Sequence, residues 1–487
     1  MKNYIKFLSL SFISLVLFSC DDEINDLEPF TEGNPETFFN SEASFQNGVD
    51  GVYSQLFNYY ASTTEYNAEA GYQTIPDILA DNVILATTGR RSNEVYYDWQ
   101  YVPNTGGAIS LYWSEAYEAV NAANLIIGQI NNLPEGDVKD NILGQALAAR
   151  AFAHFDLVRI YAKIPTQSED ANSSLGVVYV KVEDGDTGDP YAEPARETVE
   201  SNYAEIISDL ERAAELIGAS NGEGRLDRDA VYAILSRVYL YNGDYQNVID
   251  AANEVSEPIA TAEELPGVYT DATNTGVIVE WSVNTSSEST FSNIGVAYSQ
   301  TTGETVRSEY VADYEFINSV DTSDVRHDVL TYVGVNSGNQ YNAVKKFLGE
   351  EGQNNGLVDV KVLRAAEVVL NKSEAQYRLG METEALETLN ELRDKRLDSY
   401  EGGEAGEELL NTILSQRRIE LAFEGHRFFD IKRMGDAIVR SNNGDILDGS
   451  GTPPQELTLP AGNFRFQFPI PQAEINANSN IEQNPGY

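Results

Sequence analysis

Cysteine, histidine and positive charge are all scarce in this chain, and each shortage removes a class of protein. One cysteine, Cys20, among 487 residues excludes an intramolecular disulfide, so the fold must be held by packing. The histidines His154, His327 and His426 lie far apart, and no metal site is expected of them. There is no GxSxG, no HExxH and no Gly-rich phosphate loop. Basic residues number 32 against 77 acidic ones, a formal net charge of −45. Nucleic acid needs the opposite balance and is excluded as a partner. A broad docking face on anionic lipid is excluded with it. After residue 19 no apolar run approaches the ~20 residues of a membrane-spanning helix.

What is present reads as a folded protein. The hydrophobic fraction is 42% and there are 28 tyrosines. The first twenty residues, MKNYIKFLSLSFISLVLFSC, join a basic start (Lys2, Lys6) to an apolar stretch too short to span a bilayer. They end Leu17-Phe18-Ser19-Cys20, which resembles a lipoprotein box with Cys20 as the lipidated residue; Phe18 departs from the small residue usual there. Several acyl chains on one cysteine anchor a protein stably. The expected organisation is a signal peptide over 1–19, a lipid-anchored tether over 20–36, and a single domain over 37–487.

Helical periodicity recurs in separated blocks. Tyr112–Leu133, Val138–Tyr161 and Glu197–Ile217 each read as a helix. Asp229–Val255 reads as two helices about a Gly-Asp turn at 243–244, and Val360–Arg396 repeats that plan about Gly380. Each block sets a tyrosine (Tyr239, Tyr377) just before its glycine, which resembles the tetratricopeptide hairpin. Residues 59–110 and 256–355 are rich in Tyr, Asn, Thr, Ser and Gly, with β-leaning pieces such as Gly276–Trp281. Asp184–Asp189 lacks the Glu of a calcium loop and reads as an exposed turn.

The segment RRIELAFEGHRFFDIKRMG, Arg417–Gly435, concentrates charge. Read as one helix, it sets Arg417, Glu420, Glu424 and Arg427 on one face, able to pair down it. Leu414, Leu421 and Phe428 form an apolar stripe beside them, and Gly425 leaves room for close backbone approach. An acid–base pair of Glu424 and His426 is disfavoured, because residues two apart on a helix point to different sides. The segment is read as scaffold.

Residues 413–435 closely resemble the signature of the SusD/RagB family of surface glycan-binding lipoproteins. So do RAFAHFDLVRIYAKIP (150–165), RETVESNYAEIISDLERA (196–213), the two hairpin blocks and the tail FPIPQAEINANSNIEQNPGY (468–487), in the family's order. The resemblance implies a mostly α fold of four tetratricopeptide-like helix pairs, with irregular loops and short β insertions forming the ligand face. It implies an outer-membrane lipoprotein facing the exterior, over a SusC-like TonB-dependent β-barrel. It further implies capture of oligosaccharide without cleavage; no cofactor or metal is expected. A peptide ligand, or a pure lid or scaffold role on the same transporter, is the alternative, and a hydrolase is a third reading. Neutral glycan fits the acidic chain best. A sugar site needs aromatic platforms rimmed by polar side chains. By position in the early loop, Trp99 is expected as platform, with Arg90, Asn93 and Tyr96 at its edges and Arg91 beside them. Trp281 is the second platform expected, before Asn284, Ser286 and Ser287. Trp113, on a helix, is expected in the core.

Overall fold

The computed structural model describes residues 35–61, 71–89, 91–186, 188–189, 192–283, 294, 298–302, 305–349 and 357–487. The expected signal, Cys20 and the tether as far as residue 34 lie outside them, as do Arg90, Asn284, Ser286 and Ser287.

Among the described residues, ten helices make the frame: α1 Glu42–Ala61, α2 Ala108–Gln129, α3 Asp137–Tyr161, α4 Val199–Leu216, α5 Arg228–Asn242, α6 Tyr245–Glu254, α7 Ala365–Arg378, α8 Glu382–Arg393, α9 Glu407–Glu420 and α10 Arg427–Met434. Their ends follow local chemistry. Thr198 accepts the Ser201 amide at the start of α4, and Asp227 accepts that of Ala230 at the start of α5. Gly243 closes α5 at φ 82° and Gly380 follows α7 at φ 77°, conformations that side chains disfavour. α1 packs on α2, α3 on α4, α5 on α6 and α7 on α8. Four helix pairs result, the number that the family resemblance implies, although 138–161 was expected as the partner of 112–133. The first has its long insertion between partners, and α1 itself was not foreseen in the sequence pattern.

Two expectations change. Val360–Arg364 is strand β8, paired antiparallel with β2 Val277–Trp281, and the helix begins only at Ala365. The signature segment is two helices rather than one. Phe423 (φ 68°) and Gly425 (φ 78°) break it, and a Cβ on Gly425 would sit 2.7 Å from the Gln73 carbonyl oxygen. The break sends the charges to partners elsewhere in the chain instead of to one another down one face. Arg417 binds Asp430 at 2.8 Å and Asn371 at 2.7 Å. Glu420 accepts from Arg364 and Arg396 at 2.9 Å and from Arg326 at 3.3 Å. Glu424 accepts from Arg364 at 2.8 Å, and Arg427 reaches Asp81 at 2.7 Å. Lys432 of α10 donates to the Arg159 and Ala162 carbonyls at the end of α3, at 2.6 and 2.7 Å. The segment is scaffold, acting as an ionic hub that ties α3, α7 and the Ile75–Leu79 turn together.

The irregular insertions assemble into a six-stranded sheet in the order β1-β5-β7-β6-β4-β3. Its strands are β1 Val83–Leu85, β3 Ser299–Thr302, β4 Thr305–Ser308, β5 Tyr310–Ala312, β6 Thr331–Asn336 and β7 Asn339–Val344. Strands β6 and β7 join through Ser337 and Gly338, both at positive φ (53° and 86°), as a two-residue hairpin turn requires. One sheet face joins the main core through Val83, Leu85, Tyr310 and Ala312. The other carries a separate small cluster of Ile84, Ala86, Val311 and Tyr341.

Candidate functional site

The second sheet face carries the small buried cluster, with the half-buried Tyr332 at its far end and a built polar edge beside it. Strand pairing sets Ile84 beside Val311, Val311 beside Ala343, and Ala343 beside Tyr332, so these four form a row across the face. Tyr341 projects on the same side, two residues before Ala343. The tail covers the β1 end of the row. The Leu447 amide donates to the Gln340 carbonyl at 2.8 Å, and Ile446 packs on the cluster. The far end is less covered, and Tyr332 there is half-buried.

The loop after β1 forms the polar edge. Thr87 donates to Asp445 through its amide and its hydroxyl, both at 2.9 Å, and Thr88 reaches the Tyr341 hydroxyl at 3.4 Å. The Ser92 hydroxyl donates to Glu309 at 3.0 Å, and its carbonyl accepts from Tyr310 at 2.7 Å. Arg91, Asn93 and Trp99 all have positive φ (60°, 61° and 51°). Three strained non-glycine residues within nine positions mark a conformation imposed by its surroundings. Arg91 and Glu94 pair at the surface, which lowers the Glu94 pKa; burial and nearby Glu94 raise that of Asp98. Asn93 is 9% exposed, and both atoms of its amide are buried without a hydrogen-bond partner. Such a group costs about 1–3 kcal/mol, so it calls for a functional explanation.

The rings expected as platforms are packed, and that expectation is corrected. Trp99 is 4% exposed and Trp281 3%. The indole of Trp99 donates to the Leu79 carbonyl at 2.9 Å. Its ring and that of Tyr97 lie 4.0 and 3.9 Å from the Arg440 guanidinium. Arg440 also donates to the carbonyls of Ile78, Leu79, Ala80 and Tyr97. Tyr96 is buried too; its hydroxyl donates to the Gly106 carbonyl and its ring stacks on Phe468. Trp281 packs edge-on against Tyr60 with ring centroids 4.8 Å apart. Trp113 is core as expected, against Tyr161. The cause is shared: a long-range partner from the tail or from α1 covers each ring, and local sequence holds no trace of it. Tyr332 and Tyr341 were missed, although two alternating runs about Ser337-Gly338 signal their hairpin.

Near the end of β2, carboxylates of Asp271, Glu280 and Asp359 lie within 4.8 Å of one another. The buried Lys361 ammonium sits at 2.7 Å from Asp271 and 2.5 Å from Glu280. A cation is therefore already supplied by the chain. The sharper catalytic reading of the signature also fails on geometry. Glu424 is engaged by Arg364 and Lys346, whereas His426 faces Glu367 at 3.9 Å.

Helical hairpins carrying a separate loop-and-sheet face define a scaffold that presents a binding surface. Comparison with known proteins agrees. A model of the SusD family matches residues 281–487, and one described as starch-binding and associating with the outer membrane matches 29–240. A SusD-like protein of Formosa agariphila, P2, is 26% identical over the whole of both chains. A crystal structure of a SusD superfamily protein from Bacteroides thetaiotaomicron has TM-score 0.78 and 27% identity, covering 91% of this chain and 100% of that one. A laminarin-binding SusD-like protein shares the fold at TM-score 0.67 and 21% identity, over 92% of this chain and 100% of its own. The chain belongs to the SusD family, a carbohydrate-binding family. Among the described residues no helix is long and apolar enough to cross a membrane.

Proposed function

We propose that this protein is a lipid-anchored, outward-facing receptor that captures a neutral glycan without cleaving it and passes it to a SusC-like TonB-dependent barrel. The observation that carries the reading is SusD-family similarity along nearly the whole chain, combined with a polar-edged sheet face outside the main core. On that face Tyr332 supplies a partly open ring. The exposed Arg91 in the loop after β1, with Arg90 from outside the described residues, supplies donors for hydroxyls, and Asn93, whose amide is buried, helps to shape that loop. Trp99 and Tyr96 act indirectly, by holding the strained loop in place. The charge of −45 disfavours anionic polysaccharide, and the laminarin-binding relative makes a neutral β-glucan the first ligand to try.

The test uses residues 21–487 in affinity gels containing laminarin, other neutral glucans or anionic polysaccharide. One neutral glycan should retard the protein. Tyr332→Ala should weaken binding about tenfold, the scale of one lost ring contact of ~1.4 kcal/mol, with an unchanged melting temperature. Retardation by none of the neutral glycans, or release of reducing sugar by the purified protein, would reject the reading.

A further inference from the structure

A second cleft shares no residue with the sheet face. It lies between the N-terminal half of α2, the extended segment 177–182 and the short tail helix Gln472–Ala477. Its volume of about 430 Å³ is that of a small-ligand cleft. Trp113 and Tyr117, four residues apart on α2, share the helix face that forms one wall. Side chains hold the opposite wall in place. Tyr117 donates to the Val178 carbonyl at 2.9 Å, and His154 accepts the Val180 amide at 3.0 Å. The tail is stitched to the chain beside it. Asn478 donates to the Pro194 carbonyl at 2.9 Å, and Asn480 donates to that of Glu193 at 2.7 Å. The cleft is therefore built by the fold before any ligand arrives.

Three polar groups on this cleft have no partner among the described residues. Trp113 is only 4% exposed and its ring is core, yet its indole N–H makes no hydrogen bond and is not sealed from solvent; it opens on the cleft that Trp113 lines. The other two tryptophans differ. The Trp99 N–H is taken by the Leu79 carbonyl, and that of Trp281 is sealed. The exposed Glu193 and the half-buried Glu474 line the same cleft, and their carboxylates enter no hydrogen bond or ion pair. The half-buried Tyr117 ring, with Ala192 and Pro194, supplies apolar surface between them. One donor beside two acceptors suits a group that both accepts and donates, as a saccharide hydroxyl does. An ammonium or guanidinium group would meet the indole N–H with donors of its own. An anionic sugar would meet two carboxylates. The apolar CH face of a neutral sugar ring matches Tyr117.

We propose that this cleft is a second saccharide site, in which the Trp113 indole N–H donates to a sugar hydroxyl and Glu193 and Glu474 accept from hydroxyls of a neutral glycan. The inference rests on the reading of the protein as a neutral-glycan receptor, and it deepens that reading. Past Val178 and Val180 the cleft continues into a lobe of about 630 Å³ lined by Asn121, Leu125 and Gln129 of α2. A chain passes through the cleft rather than ending in it, so the site takes internal units of a polymer. A polymer held both here and on the sheet face is retained longer than one held at either, because the second contact forms at a high effective concentration.

The indole N–H resonances of residues 21–487 test this. Three tryptophans give three signals, and Trp113→Phe identifies one of them by removing the N–H while keeping a ring. A hexasaccharide of the neutral glycan that retards the protein, laminarin first, should move the Trp113 signal along a saturating curve. Glu193→Gln with Glu474→Gln should weaken that curve about tenfold, ~1.4 kcal/mol. The melting temperature should stay unchanged, because neither carboxylate has a partner to lose. In gels of the polymer, Tyr332→Ala and the double variant should each reduce retardation, and together more than either alone. A Trp113 signal that stays still while the glycan retards the protein would overturn this inference and leave the sheet-face reading standing. A shift of equal affinity in wild type and double variant would overturn it too. Movement of the Trp113 signal with retardation untouched by Tyr332→Ala would support this site and reject the sheet face. Retardation by none of the neutral glycans rejects both.

Discussion

Glu420 is 2% exposed and takes hydrogen bonds from three arginines that come from three different parts of the chain. Burial alone would raise its pKa, yet Arg396 and Arg364 hold it well below the ordinary range. Removing one member of such a cluster strands the others. Glu420→Gln should therefore cost about 3–5 kcal/mol in urea unfolding, far more than an exposed ion pair. Glu374 shows the pH side of the same design. Burial would raise it, but Arg433 on two oxygens brings it from 4.5 down to about 2. A carboxylate with a depressed folded pKa binds protons more readily once unfolded. Its contribution is complete above pH 4.5 and is lost as pH falls from there toward 2. The urea midpoint should drop between pH 5 and pH 3, and Glu374→Gln should flatten that drop while lowering the midpoint at pH 7.

At the scale of elements, two glycines with similar backbone angles separate local from tertiary demands. Gly380 ends α7 at φ 77° with nothing near its missing Cβ, so Gly380→Ala carries only the left-handed penalty, about 1 kcal/mol. Gly425 has φ 78° too, but its Cβ would meet the Gln73 backbone at 2.7 Å. Gly425→Ala adds a clash between two main chains to that penalty, about 2–5 kcal/mol in all. Denaturant titration of the two variants should rank them in that order, and equal losses would mean the turn tolerates displacement. The same turn places Asp77 to accept the Phe423 and Gly425 amides, at 3.2 and 2.8 Å. The signature break and the early loop thus support each other.

At the scale of the whole molecule, the reading depends on one thiol and on a large negative charge. On the proposed function, Cys20→Ala should move the protein from the outer-membrane fraction to the soluble one in cell fractionation, with its melting temperature unchanged. Retention in the membrane would show that another feature anchors it.

Repeat periods, helix stops and the order of long motifs are local properties, and they were enough to mark α2 to α8, the hairpin glycines and the family. They marked the signature as scaffold for the same reason: its glycine and its dense charge are written in one short run. Which aromatic rings stay open was decided only by tertiary structure. Trp99 is covered by Arg440, more than 300 residues away in the chain, and Trp281 by Tyr60. A ring's exposure depends on what long-range packing lays over it, and a loop read by itself contains the ring but never its cover.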